Sequence, residues 1–438
     1  MDIRLSSASS KEFGGQRLAV FILFWGFLTS SGPWAAPAPP PPPPRPPQPS
    51  NGPGQNNNGL LSPSDFSAAV AVFSQQQTPS TGLGPVFNDD ACAQCHHAPN
   101  VGGDSQVTAL RAGIFSEGVF SDPPGGSLID HRALAPQIVP RVPNNANVRS
   151  IRASISTLGD GYVEAVPDQT LLSIAAAQPG LSNGQIHGVA NWVPVLELPH
   201  STAVGRFGWK SQHASLLSFS ADAFRNEMGI TTPLFPTELS SNGNSVQAFE
   251  PAGFFETTPN RPNNNDVISV TSFIRSTPVR ARIPGAPDLG VVPRGVVLSG
   301  QAQFIKAGEG TFMTIGCAIC HVASLTTGAQ GTAVNGGAYT VQPPLAGITF
   351  HPFSDYLLHD VGTGDGIVQT GDQSTRNLIR TAPLWGISTR KTLMHDGASL
   401  DIPAAISRHA GEASVVIQSF NALPASDQQN LITFLNSL

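Results

Sequence analysis

All four cysteines of this chain fall in two five-residue stretches, Cys92-Ala93-Gln94-Cys95-His96 and Cys317-Ala318-Ile319-Cys320-His321. Each reads C-x-x-C-H, the attachment pattern of a c-type haem. The chemistry requires that spacing. Two thiols three positions apart can add to the two vinyl groups of one porphyrin, and the next residue offers an imidazole nitrogen to the iron. The other readings of such pairs are redox dithiols or a zinc site, although a histidine directly after the second cysteine is not a usual zinc spacing. With every cysteine used in this way, the expected cofactors are two covalently attached haem c groups. Cys92, Cys95, Cys317 and Cys320 would hold them, and His96 and His321 would be the proximal metal ligands.

The length, 438 residues, allows two or three domains, and a 40% hydrophobic fraction allows a sizeable core. A net charge of −6 with only 23 Lys and Arg lacks the basic footprint that nucleic-acid binding needs. Gly (44) and Pro (40) are abundant while charged residues are only 12%, which predicts long loops.

Residues 1–36 read as a signal peptide. Arg4, Lys11 and Arg17 precede an apolar run, Leu18 to Leu28, that is short for a membrane span, with small residues at Ala35 and Ala36. An uncleaved anchor is the alternative. Residues 37–59 read as a Pro/Asn-rich linker. The expected location is periplasmic or secreted.

Ser64 is expected to cap a helix over Asp65–Phe73 that leads to the first motif. Gln301–Ile305, anchored by Phe304, leads to the second. Ser426-Asp427 is expected to cap a terminal helix, Gln428–Leu438, that packs on the helix opening its domain. Further helical patterns run over Asp168–Ala177 and Ala214–Glu227. The expected fold is mainly α, with two cytochrome c-like domains, 60–294 and 295–438. The first domain would carry a large insertion, since 221 residues lie between Cys95 and Cys317.

Several ordered stretches carry a family resemblance. They are Gly84-Pro85-Val86-Phe87-Asn88, Gly205-Arg206-Phe207-Gly208-Trp209-Lys210 and Glu227-Met228-Gly229-Ile230-Thr231. Further along come Ser354-Asp355-Tyr356-Leu357-Leu358-His359-Asp360, Arg380-Thr381-Ala382-Pro383-Leu384-Trp385-Gly386, Met394-His395-Asp396-Gly397-Ala398 and His409-Ala410-Gly411-Glu412-Ala413. With the two haem motifs, this set resembles the bacterial di-haem oxidoreductases, sometimes labelled thiol oxidoreductases, which are related to the di-haem cytochrome c peroxidases. The resemblance spans about Leu60 to Leu438. It implies a peroxidase-like enzyme with one reacting haem and one electron-transfer haem.

In those peroxidases a methionine ligand follows the H-D-G stretch, and His409 occupies that place here. His409 is therefore the expected second ligand of the C-terminal iron, with Met394 as the alternative; a bis-histidine site has a lower potential than a His/Met one. His359 and His395 are expected in hydrogen-bonded turns or against propionates. Glu164, beside Tyr162 in an apolar run, is the candidate acid–base group for the first haem; the alternative is an ion pair with an arginine. The relatives carry an acidic or amide residue upstream of the Glu-Met pair, where this chain has Leu217 and Ser218. Trp209 and Trp385 are candidate electron relays or core residues. A calcium ion occurs in relatives, with Asp355 and Asp360 as conceivable oxygen ligands here.

The leading function is an oxidoreductase acting on peroxide or another small-molecule oxidant, fed by a small redox protein or a quinol-derived donor. A non-enzymatic di-haem electron carrier and a haem-based sensing module are the alternatives.

Overall fold

Two helix pairs of similar construction each present one cysteine motif. In the computed structural model, which describes residues 57–250, 265–279 and 300–438, the first pair is α1 (Pro63–Ser74) against α6 (Asn265–Ser276). Phe73 of α1 meets Phe273 of α6 with ring centres 4.7 Å apart, and Phe66 meets the same ring at 5.7 Å. The second pair is α7 (Gly300–Thr314) against α10 (Ala425–Leu435). Phe312 of α7 packs on Phe434 of α10 at 5.3 Å. Gly308 permits that crossing, because a Cβ there would stand 1.9 Å from the Asn430 carbonyl oxygen. The α7–α10 pairing is the packing expected of the terminal helix. The α1–α6 pairing was not foreseen, although Val267, Val270 and Ile274 carry the i, i+3, i+7 spacing of a helix face.

Between α1 and α6 lie α2 (Cys92–Cys95), α3 (Asp160–Glu164), α4 (Asp168–Leu181) and α5 (Leu216–Met228), and between α7 and α10 lie α8 (Ile402–Ser407) and α9 (Ser414–Asn421). Several ends differ from the sequence expectation. The α1 cap is Ser62, whose hydroxyl accepts from the Asp65 amide, rather than Ser64. In α7, Phe304 is exposed, and Ile305 and Phe312 provide the buried face.

The expectation of a mainly α chain is overturned. Ten α-helices share the described residues with fourteen strands and nine 3-10 turns. Strands β1 (Val86–Phe87) and β5 (Arg132–Ala133) pair beside the first motif. A four-stranded antiparallel sheet is centred on β2 (Thr108–Ser116), with β3 (Val119–Ser121), β4 (Leu128–Ile129) and β6 (Val148–Ala153). The physical reason is composition. Frequent Gly and Pro interrupt the i→i−4 ladder that a helix needs, and the Val, Ile, Thr and Phe of 107–153 suit short pleated strands. Gly113 leaves room for the Phe120 ring of β3, whose edge lies 2.0 Å from where a Cβ would sit.

All described residues belong to one compact unit. Its largest core cluster runs from Phe66 and Phe73 to Phe350, Tyr356 and Trp385, so it draws on residues from both sides of position 295. A second cluster, with Phe312, Phe353, Leu431 and Phe434, lies under the second motif. No helix among the described residues is long and apolar enough to cross a membrane. The leader expected over 1–36, most of the 37–59 linker, Ser299 and much of the Asn-rich stretch 242–265 fall outside the described residues.

Candidate haem sites

Each motif closes one turn in the same way. The His96 amide donates to the Cys92 carbonyl at 3.0 Å, and the His321 amide donates to the Cys317 carbonyl at 3.0 Å. Each imidazole then spends Nδ1 on a backbone carbonyl, His96 on Gly103 at 3.1 Å and His321 on Phe353 at 2.9 Å. A donating Nδ1–H fixes the tautomer and leaves Nε2 with a free lone pair, the form a metal requires. Burial pushes both imidazoles down in pKa, His321 to about 4, which keeps them neutral. An aromatic ring backs each histidine at 6.4 Å, Phe73 for His96 and Phe312 for His321.

None of the four cysteines is in a disulfide, and burial pushes the thiols of Cys92, Cys95 and Cys317 up to about 12. Thiols held protonated in this way are poor redox dithiols. A four-cysteine zinc site is not formed among the described residues. The one ligand-like cluster there is Cys320, Asp355 and His359. His359 is already bonded through both ring nitrogens, to Asp355 Oδ2 and to Glu412 Oε2, each at 2.9 Å. Burial would lower its pKa, but Asp355 and its other partners lift it to about 12, so it is a cation and a poor metal ligand.

The second motif opens on a cavity whose empty space, mouth included, is about 1270 Å³. Cys317, Cys320 and His321 line one side of it. His409, Met394 and His395 line it too, among Leu393, Ile402, Ile406, Leu431 and Leu435. Across this space the His321 and His409 rings stand 6.5 Å apart, steeply inclined to each other. His409 also commits Nδ1 to a carbonyl, that of Ala405 at 2.8 Å. Two imidazoles bonded to opposite faces of one metal at about 2.0–2.1 Å each would have ring centres roughly 6 Å apart. The residues present therefore fit a haem here, with apolar walls for the macrocycle and two nitrogen donors for its metal. Met394 lies in the left-handed backbone region at φ +67°, its side chain packed against the second core. Arg380 and Arg390 add positive charge to the wall.

Trp209 lines the same cavity. Its indole nitrogen donates to the Ala153 carbonyl at 2.8 Å, and its ring stands 6.1 Å from that of His395. Trp385 is a core residue, its ring tilted against that of Phe350 at 5.9 Å, with its indole nitrogen buried and unpartnered.

The reading of Glu164 as an acid–base group needs correction. It is fully buried, and Arg275 grips it through Nε at 2.6 Å and Nη2 at 3.0 Å. The Leu216 amide and the Asn335 side chain donate to it as well, at 2.8 and 2.9 Å. Three of these bonds fall on Oε1 and one on Oε2, and the ion-pair alternative describes this carboxylate. Sequence reasoning passed over Glu227, although it stands in the quoted Glu-Met pair. It is partly buried at the end of α5, and the Cys92 and Cys95 thiols both feel its charge. Burial pushes its carboxyl up, while the Asn88 side chain, donating to Oε2 at 2.8 Å, opposes the rise.

Asp355 offers little to a calcium ion. Its Oδ2 accepts from Gln178 at 2.6 Å and binds His359, and its Oδ1 accepts from the Leu357 amide at 3.0 Å. Asp360 Oδ1 accepts from the Gly362 amide at 2.9 Å.

Among solved structures, the chain is similar to hydrazine synthase of Kuenenia stuttgartiensis, at 14% identity over 86% of this chain and 88% of that one, with a TM-score of 0.40. It is similar to the diheme peroxidase BthA of Burkholderia thailandensis at 15% identity, over 86% of each chain, with a TM-score of 0.41. A MauG-like protein associated with microbial copper homeostasis matches at 14% identity, over 90% of this chain and 91% of that one, with a TM-score of 0.39. No curated protein matches the chain. A family model described as "Di-haem oxidoreductase, putative peroxidase" matches residues 137–438, a span that takes in the second motif and follows the first. That span is well over half of the sequence, and the chain belongs to the di-haem oxidoreductase family.

Proposed function

We propose that the protein is an exported di-haem c-type oxidoreductase that reduces peroxide, with the first motif at the reacting haem and the second at the electron-transfer haem. The observation that carries this reading is the inequality of the two sites. His321 faces His409 across its cavity. Beside the first motif stands a partly buried carboxyl, Glu227, with a raised pKa.

Cys92 and Cys95 would hold one haem and Cys317 and Cys320 the other, each through two thioethers. His96 and His321 would be the proximal ligands, His409 the opposing ligand of the second iron, and Arg380 and Arg390 partners for its propionates. When bound, the haems supply the redox equivalents. The protein's own groups supply the proton traffic and the geometry. Peroxide takes up two electrons and two protons and leaves as two waters. Glu227 would be the group that accepts a proton from peroxide and gives it back as water forms. The electrons come from a small redox protein or a quinol-derived donor and pass the second site, where Trp209 stands as a candidate relay. Covalent attachment and peroxide reduction both suit a location outside the cytoplasm, and the leader-like residues 1–36 support export. A calcium ion is not needed for any of these roles.

The test is a ferric EPR and visible spectrum of the purified holoprotein, with a cyanide titration. One low-spin iron that resists cyanide and one iron that binds it are expected. Two low-spin irons that both refuse cyanide, oxidised and half-reduced, would identify an electron carrier instead. Cell fractionation should place the mature chain in the periplasm without its first residues; a full-length chain retained by membranes after a high-salt wash would point to an anchor.

A further inference from the structure

A continuous line of buried polar side chains runs from inside the second motif to the segment that carries His409. It starts at the Ile319 carbonyl, which lies between Cys317 and Cys320 and accepts from Gln178 Nε2 at 2.9 Å. The same nitrogen donates to Asp355 Oδ2 at 2.6 Å. Asp355 Oδ2 binds His359 Nε2, and His359 Nδ1 binds Glu412 Oε2, each at 2.9 Å. Gln178, Asp355 and His359 are each at most 1% exposed.

Glu412 is the end of the line and its fastening point. Its two oxygens also take the backbone amides of His187, at 2.9 Å, and Asp360, at 3.2 Å. Two main-chain bonds dock the same segment, from the Ala410 amide to the Val361 carbonyl and from the Glu412 amide to the Asp360 carbonyl, each 2.9 Å. His409 follows α8 directly, and apart from its bonds to Ala405 and Ile406 within that last turn, its segment is held through this docking. Charge-assisted bonds in a dry interior are stronger and more geometrically exacting than neutral surface ones. Water competes poorly for Gln178, Asp355 and His359, while Glu412 at the end of the line is partly buried.

We propose that Gln178, Asp355, His359 and Glu412 form a strut that sets the separation of His321 and His409, with Glu412 as the positioning residue for His409. The inference rests on the reading of His409 as an iron ligand. It also gives α4, which lies between the two motifs in sequence, a part in the second site. Main-chain docking alone would let the segment settle over a range of positions. The strut ties it to the cysteine motif itself, so that both histidine-bearing segments share one frame.

The test uses the full-length holoprotein with both haems, and probes the second iron with cyanide by EPR and visible spectra. Glu412→Gln keeps the shape and removes the charge that His359 binds. It should lower the cyanide concentration for half-conversion of the low-spin signal by about tenfold, the loosening expected from one weakened charged hydrogen bond. Gln178→Leu cuts the line far from His409 and should shift the titration in the same direction by a smaller factor. Millimolar free imidazole should restore the low-spin signal in both. If Glu412→Gln does not accumulate as holoprotein, Gln178→Leu decides by the same titration. Variants with full haem content and the wild-type cyanide titration overturn the strut. His409→Ala separates the two claims. If it turns the second iron high-spin while the strut variants titrate like wild type, the ligand reading stands and the strut falls. If His409→Ala keeps the low-spin signal, the ligand reading itself fails and the strut loses its purpose.

Discussion

The surroundings of the two cysteine motifs begin alike and then diverge. Both close the same turn, spend Nδ1 of the motif histidine on a carbonyl, and set a phenylalanine 6.4 Å behind it, from the first helix of a packed pair. On the far side they differ. The second motif looks across an apolar cavity to a second imidazole with its tautomer already fixed. The first stands near Glu227, a carboxyl lifted by burial and steadied by Asn88. A fixed nitrogen donor suits an iron that passes electrons, and a carboxyl of raised pKa suits one at which protons move.

The largest expected effect separates the attachments. Cys92→Ala with Cys95→Ala should remove one covalent haem equivalent and leave the low-spin, cyanide-resistant signal in place. Cys317→Ala with Cys320→Ala should remove the other equivalent and that signal with it. Haem staining of denaturing gels and EPR read both, and a low-spin signal that follows the first pair would reverse the assignment.

Next comes the proton-handling side. Glu227→Gln should lower peroxide turnover by about 10²–10⁴-fold while haem content and the second iron's spectrum hold. As a base Glu227 would work in its deprotonated form, and burial raises its pKa. Turnover in the wild type should therefore fall as pH drops through a value above the ordinary glutamate pKa of about 4.3. An acid limb unchanged in Glu227→Gln would assign it to another group.

The shared half can be compared by stability. Phe73→Ala and Phe312→Ala each remove a fully buried ring that backs a motif histidine. Each should cost about 3–5 kcal/mol in chemical denaturation. If the helix pairs are equivalent supports, the two losses should agree within the spread of such substitutions; a much smaller loss for Phe73→Ala would mean that the first motif is carried by the larger core rather than by α1.

The smallest effect is a helix cap. Ser62→Ala deletes the hydroxyl that accepts from the Asp65 amide and should cost about 1 kcal/mol. Ser64→Ala should cost less, because the Ser64 hydroxyl meets the Ser62 hydroxyl and does not cap a backbone amide. Thermal melts of the two variants decide between them.

Much of the attachment chemistry was legible because it is local. Thiols and an imidazole must lie within one turn to serve one porphyrin, so five contiguous residues are enough to raise the expectation of a covalently held haem. Helix positions followed from apolar spacing, as at Leu431, Phe434 and Leu435. Gly and Pro content announced irregular structure, but the four-stranded sheet over 108–153 was missed. Its strands gain their meaning from partners such as Thr108 opposite Ala153, pairings that no local period writes down.

By itself the sequence determined the two C-x-x-C-H motifs, the family, and a short set of candidates for everything else. The tertiary structure sets those candidates in different surroundings. Glu164 and Glu227 both adjoin apolar residues, but one is gripped by Arg275, Leu216 and Asn335, and the other stands near the first motif's thiols. Met394 and His409 both reach the same cavity, and only His409 is set opposite His321, by a docked segment whose polar ties come from Gln178, Asp355 and His359. These choices rest on hydrogen bonds between residues far apart in the chain. A charge partner's distance, unlike a thiol spacing, exists only once the chain has folded.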